Sequence, residues 1–125
     1  MKNNVYILLT FFIIINFTNN LFSQVNPLKI AEDEYNKKNY VKAKKNYLDA
    51  IVKEKDSSKI NEIKYKIGLC ICYLKEDEEF LEFLNEFRNS NKNNIWEARS
   101  YYLEGLSQSL KYSYSQSAGA EAFDE

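Results

Sequence analysis

The chain has 125 residues, with 17 basic and 18 acidic side chains, no histidine and a formal charge of −1. That length bounds it to a single domain, and the near-neutral balance argues against a dedicated nucleic-acid binder. Without histidine there is no catalytic triad of the serine–histidine type, no histidine metal site and no imidazole acid–base chemistry.

The first stretch, MKNNVYILLTFFIIINFTNNLFSQ, opens with Lys2, runs apolar from Val5 to Ile15, turns polar at Asn16–Asn20 and offers Ser23 before Gln24. A basic start, a short apolar core and a small residue at the cut is the order of a secretory signal peptide, here residues 1–23. The apolar core is shorter than the ~20 residues a membrane span needs. Extending it to Phe22 would immerse Asn16, Asn19 and Asn20. Leu21 departs from the small-x-small rule at the cut, and the alternative to cleavage is a membrane-tethered accessory subunit that keeps residues 5–22 as an anchor. No cysteine follows the stretch to carry a lipid.

From Pro27 onward the apolar residues recur at helical spacing. Ala31 and Tyr35 are four apart, and Tyr40, Ala43, Tyr47 and Ala50 advance by three and four, which gathers them on one helix face. A polar linker, KEKDSSK, follows. INEIKYKIGLCICYL then places Ile60, Ile63, Ile67, Cys70, Ile71 and Leu74 on one broad face. KEDE breaks the pattern, FLEFLNEF resumes it with Phe80, Leu84 and Phe87, and NSNKNN breaks it again. IWEARSYYLEGLSQSLK, Ile95 to Lys111, is the last strong helical segment. Residues 112–125 are small, polar and acidic at the end, and are expected to form a flexible tail or an incomplete helix. One proline, three glycines and no alternating run make the fold class all-α.

Two local features accompany the helices. Lys37–Lys45 is basic and Glu76–Glu79 is acidic; these are either solvated faces or surfaces that attract each other or separate partners. Cys70 and Cys72 point about 200° apart on a helix, so they neither bridge each other nor share a metal; they read as small buried hydrophobes, the alternative being a bond between two chains in an oxidising compartment.

The chain also repeats itself. Ala31, Gly68 and Gly105 are small residues spaced 37 apart, Ala43, Tyr47 and Ala50 match Phe80, Leu84 and Phe87 at the same offset, and Tyr65 matches Tyr102. Small residues at such places let two helices of a hairpin approach, while aromatics fill the space to the next hairpin. This pattern resembles the tetratricopeptide repeat: a small residue in the first helix, an aromatic before the second, then alanine, an aromatic and alanine. Ala31, Tyr40, Ala43, Tyr47 and Ala50 supply it in the first unit. Gly68, Phe80, Leu84 and Phe87 supply a degenerate version in the second, where Phe80 is much larger than the usual alanine. Tyr101 or Tyr102 and Gly105 begin a third, whose second helix would need Tyr114 and Ser117 but meets Glu121 and Asp124 where apolar residues belong. The period of 37 exceeds the usual ~34.

The resemblance implies a short tetratricopeptide-like α-solenoid of stacked antiparallel hairpins, about two and a half repeats over residues 24–111. It implies that the first helix of each unit lines a concave groove that takes up a peptide or protein segment. Carried over, that groove presents Leu28, Glu32, Tyr35 and Asn36, then Glu62, Tyr65, Leu69 and Tyr73, then Arg99, Tyr102 and Leu106. Tyr65, Tyr73 and Tyr102 are the expected anchors, because tyrosine offers apolar area and a polar tip at small entropic cost; the same residues also suit packing between repeats. The lysine and asparagine clamp that some members use for a terminal carboxylate is not visible. The unfinished third unit leaves an apolar helix face uncovered, which points to self-association or a partner.

No glycine-rich loop cradles a phosphate. Asp77/Glu78 and Glu76/Glu79 are carboxylate pairs, but they sit at a polar helix junction rather than in a walled pocket. The expectation is a non-enzymatic interaction or scaffold protein with no cofactor and no metal. An Asn- and Lys-rich chain with this leader suits export to the periplasm or outer envelope, with release as a secreted structural factor the alternative.

Overall fold

The computed structural model describes residues 26–121, with side chains as far as Tyr114. The signal-peptide reading of residues 1–23 lies outside the described residues. Within them the chain is all-helical, with no strand: α1 (Pro27–Asn36), α2 (Tyr40–Ile51), α3 (Ser57–Leu74), α4 (Asp77–Ser90) and α5 (Ile95–Glu121).

The helix starts are built from short polar side chains. Asn26 caps α1 by accepting the Leu28 N–H at 3.0 Å, with Pro27 in the first helical position, where a missing N–H loses nothing. Asp56 accepts the N–H groups of Ser58 and Lys59 at 2.8 and 3.1 Å, and this cap draws Ser57–Lys59 into α3 although their composition reads as linker. Asn94 accepts from Trp96 and Glu97 at the start of α5, and the Glu97 carboxylate reaches back to the Asn93 N–H at 2.6 Å.

Two helix ends repeat each other. Lys38 after α1 and Lys75 after α3 are both left-handed, at φ 60° and 58°. In the first turn Lys38 donates to Tyr35 O and Asn39 to Glu34 O; in the second Lys75 donates to Cys72 O and Glu76 to Ile71 O. These are the paired hydrogen bonds of a Schellman ending, which satisfy carbonyls left over at a helix C-terminus. The two turns lie 37 residues apart, the offset seen in the sequence.

Packing follows the same order. α1 lies on α2, α2 on α3, α3 on both α4 and α5, and α4 on α5. Ala31, Ala43, Tyr47 and Ala50 are buried in the core with Ile63, Ile67, Cys70 and Ile71, and Phe80, Leu84 and Leu103 continue it. Ile63, Ile67, Ile71, Phe80, Leu84 and Leu103 so buried each contribute roughly 1.5–3 kcal/mol, and the alanines less. Ala43, Tyr47 and Ala50 and their counterparts Phe80, Leu84 and Phe87 are all buried. The pair α1–α2 is the more extensively packed of the two hairpins. Phe80 stands in the second hairpin where the first has Ala43, and Gly68 lets α3 approach Phe83 of α4 and Leu103 of α5.

The basic and acidic segments do attract each other, through one lysine. Lys44 of α2 bonds both Glu76 and Glu79 at the start of α4. Lys111 of α5 reaches Asp77 in the same turn at 2.9 Å. Arg88 ties α4 to α5, donating to Ser100 Oγ at 2.9 Å and to Glu104 at 2.8 Å.

The last helix continues past Lys111: α5 runs unbroken to Glu121. A third left-handed turn at the 37-residue offset would fall on Tyr112, but nothing there breaks a helix, since the serines, alanines and tyrosines that follow are all compatible with one. Among the described residues no helix is long and apolar enough to cross a membrane.

Candidate interaction surface

α1 and α3 bring part of the expected groove together, along with a contributor from α2. A cavity of about 390 Å³ opens where the start of α1, the end of α2 and the first half of α3 meet. Pro27, Leu28, Ala50 and Ile63 give its apolar lining. Lys53, Lys59 and Lys66 alternate with Glu32, Glu54 and Glu62 among its polar residues. Its size is that of a small-molecule or side-chain pocket. Lys66 pairs with Glu32 across it at 3.8 Å. The Glu54 carboxylate accepts the N–H groups of Asp56 and Lys55, which hold its pKa below the usual carboxylate value. The α2–α3 loop is thereby ordered on the cavity wall.

Of the expected groove residues, Leu28, Glu32 and Glu62 line this cavity, and Asn36 is exposed at the far end of α1. Tyr35 and Tyr73 belong to a second cluster. Tyr73 stacks on Tyr40 with ring centroids 4.5 Å apart, Tyr35 meets Tyr40 edge-on at 5.6 Å, and the Lys66 ammonium lies 5.2 Å from the Tyr35 ring centre. Lys66 thus stands between the cavity and the tyrosines. A third group joins α3 to α5: Tyr65 lies 6.4 Å from Trp96, and the Arg99 guanidinium sits 4.4 Å from Trp96 and 5.3 Å from Tyr65.

Tyr102 is 59% exposed, whereas Leu69 is buried and Leu106 packs against the core. Those two leucines support the surface from beneath. Tyr65 and Tyr73 are partly buried packing residues that keep an edge open, so of the three expected anchors Tyr102 alone stands clear. Burial first, then the neighbouring phenols Tyr73 and Tyr102, raise the pKa of Tyr35 and Tyr65 respectively. Both remain neutral hydrogen-bond donors at physiological pH.

Trp96, Lys66, Ala50 at the end of α2 and Lys53 and Glu54 in the loop after it were not foreseen as part of the surface. Lys66 was legible as the residue four after Glu62 on the same helix face. Trp96 follows directly on the cap of α5. The contribution of α2 follows from the path of the loop back to α3, which leaves no mark in the sequence.

These groups offer apolar contact, cation–π surfaces, phenolic donors and ion pairs of both signs. No cluster of three histidine, cysteine, aspartate or glutamate residues arranged to hold a metal occurs among the described residues. Comparison of the chain with protein-family models, with curated proteins and with solved structures finds no match in any of the three.

Proposed function

We propose that the chain is a short stack of tetratricopeptide-like hairpins, exported through its N-terminal segment, that works without catalysis as a protein-interaction module of the cell envelope. Its ligand is a polypeptide segment with an apolar residue flanked by charges of both signs. The observation that carries the reading is the cavity between α1, α2 and α3: an apolar lining of Pro27, Leu28, Ala50 and Ile63 among three lysines and three glutamates. An apolar side chain gains by leaving water there, while the charged groups select what flanks it. The 37-residue recurrence of the left-handed turns supports the hairpin reading.

The test is selection of peptides from a random library on the full chain, followed by affinity measurement and amide-exchange mapping. Selected peptides are expected to share an apolar residue between charges and to protect Leu28, Glu62 and Ile63. Charge reversal by Lys59→Glu with Glu62→Lys, both on exposed side chains, is expected to weaken them at least about tenfold. A library that yields no binder, or protection confined to other helices, overturns the reading.

A further inference from the structure

Given a cavity that takes up an apolar side chain, as proposed, we infer that Lys53 and Lys59 are its specificity residues. They select a polypeptide segment with an aspartate or glutamate next to that apolar residue, and hold the carboxylate at the α2–α3 loop end of the cavity.

The charged groups around the cavity divide into those engaged within the protein and those that are not. Lys66 pairs with Glu32 at 3.8 Å. Glu54 accepts the Lys55 and Asp56 N–H groups through one oxygen, at 2.8 and 3.0 Å. Asp56, the other carboxylate of this loop, is taken up by capping Ser58 and Lys59. The Lys53 and Lys59 side chains are exposed, and among the described residues neither makes an ion pair or a hydrogen bond. Lys59 follows the two loop N–H groups in lowering the Glu54 pKa, but from beyond ion-pair contact. Glu62 lies between Lys59 and Lys66 along α3 and pairs with neither, which leaves it for the basic residue of the ligand.

Nor does the rest of the sequence bring a carboxylate to these lysines. Residues 1–25 contain no aspartate or glutamate, and the acidic residues beyond the described side chains are Glu121, Asp124 and Glu125. Those three come at and after the end of α5, which runs in the same direction as α3. Trp96 lies 6.4 Å from Tyr65, the Leu103 carbonyl accepts from Cys72 Sγ at 3.6 Å, and the Lys75 ammonium lies 4.0 Å from the Tyr114 ring centre. The end of α5 therefore points away from the cavity. From Lys59 to Lys75 is a rise of about 24 Å, and α5 continues about 10 Å past Tyr114. Four extended residues retrace only about 14 Å of that.

Position assigns the side on which the carboxylate sits. Ala50 and Ile63 are the apolar residues that α2 and α3 give the cavity. Lys53 follows Ala50 by three residues and Lys59 precedes Ile63 by four, so both stand about 5 Å nearer the α2–α3 loop than the apolar lining. Lys66, paired with Glu32, lies on the other side of Ile63. Lys59 also occupies the first turn of α3, where the helix dipole favours an anion, so helix stability does not account for a lysine there. One carboxylate has two oxygens and accepts from both ammonium groups at once. Because the ligand carries charges on both sides of its apolar residue, that carboxylate belongs to a side chain and not to a chain end.

The experiment is selection from a peptide library with one fixed internal leucine and randomised neighbours. It is run on the full chain, on the double variant Lys53→Glu with Lys59→Glu, and on Lys42→Glu of α2 as a control. All three substitutions fall on exposed side chains, and circular dichroism verifies that the variants fold. The parent and Lys42→Glu are expected to enrich aspartate or glutamate beside the leucine, and the double variant to enrich lysine or arginine in its place. Exchanging the acidic residue of a selected peptide for its amide is expected to weaken binding to the parent at least about tenfold. Amidating the peptide's C-terminus is expected to leave the affinity unchanged. Peptides that protect Leu28 and Ile63 from amide exchange but show no acidic preference overturn the selectivity, while the cavity remains a binding site. The same acidic preference in the double variant, or affinity lost on C-terminal amidation, overturns it too. The absence of any binder overturns both the selectivity and the cavity's role.

Discussion

Gly68 lies beneath the Phe83 ring so closely that a Cβ on it would stand 2.6 Å from Phe83 Cε1, and 2.7 Å from Leu103 Cδ1. Leu103 is fully buried and has no free room to retreat, and Phe83, partly buried, could give way only by leaving its stack on Phe87. Gly68→Ala gains about 1 kcal/mol of helix propensity, yet is expected to be net destabilising because overpacking costs about 1–3 kcal/mol. Gly105→Ala, with nothing within 4 Å of its Cβ, is expected to stabilise the fold by up to about 1 kcal/mol. Urea unfolding of both variants checks the contrast; equal shifts of the same sign would contradict it.

Lys44 makes the long-range ion pairs that join α2 to α4. Its hydrogen bond to Glu79 is the main reason that carboxyl titrates below its ordinary value. A depressed folded pKa means stabilisation that is complete above the unfolded pKa and fades as pH falls through the folded one. The parent is therefore expected to lose stability on acidification across and below the ordinary carboxylate range. Lys44→Met is expected to be less stable near neutral pH and to have a flatter acid limb. Melting temperature as a function of pH, compared between the two proteins, decides it.

The Tyr47 hydroxyl is buried without a hydrogen-bond partner. The Glu32 carboxylate is near enough to add to burial in raising its pKa, but it does not complete a hydrogen bond at ordinary distance. Removing an unsatisfied buried group recovers its desolvation penalty. Tyr47→Phe is expected to be neutral or stabilising by up to about 1 kcal/mol, whereas Tyr47→Ala is expected to cost about 3–5 kcal/mol by opening the core. A marked loss of stability in Tyr47→Phe would show that the hydroxyl has a partner in solution.

Burial pushes the Cys70 thiol up to about 12 and the Cys72 thiol up to about 11. Both are free and buried. Thiolate is the reactive form, so a disulfide reagent at mildly alkaline pH is expected to label the native protein at least about a hundredfold more slowly than the unfolded chain. Rapid labelling of native protein would show that α3 opens locally.

The helices, their order and most of the core were legible from spacing alone. Ala31, Ala43, Tyr47 and Ala50 are buried as their three- and four-residue steps imply, because a period near 3.6 is a property of one segment and needs no knowledge of its neighbours. The Asp56 cap was missed: KEKDSSK reads as linker by composition, while an aspartate before two serines is also a helix start. Of the groove residues, Glu32 and Glu62 reached the cavity and Leu69 went to the core, a division that helical position alone did not resolve.

The sequence by itself determined an all-helical chain with a 37-residue recurrence, because periodicity, small residues and turn residues act locally. Tertiary structure decided the rest. It brought the end of α2 to the cavity, set Lys44 against Glu76 and Glu79, closed Gly68 under Phe83 and left Gly105 open. The last two share a repeat position and a residue type, so no local preference distinguishes them. What separates them is that α4 and α5 pack on α3 and bring Phe83 and Leu103 onto Gly68, whereas no side chain or backbone comes within 4 Å of a Cβ at Gly105.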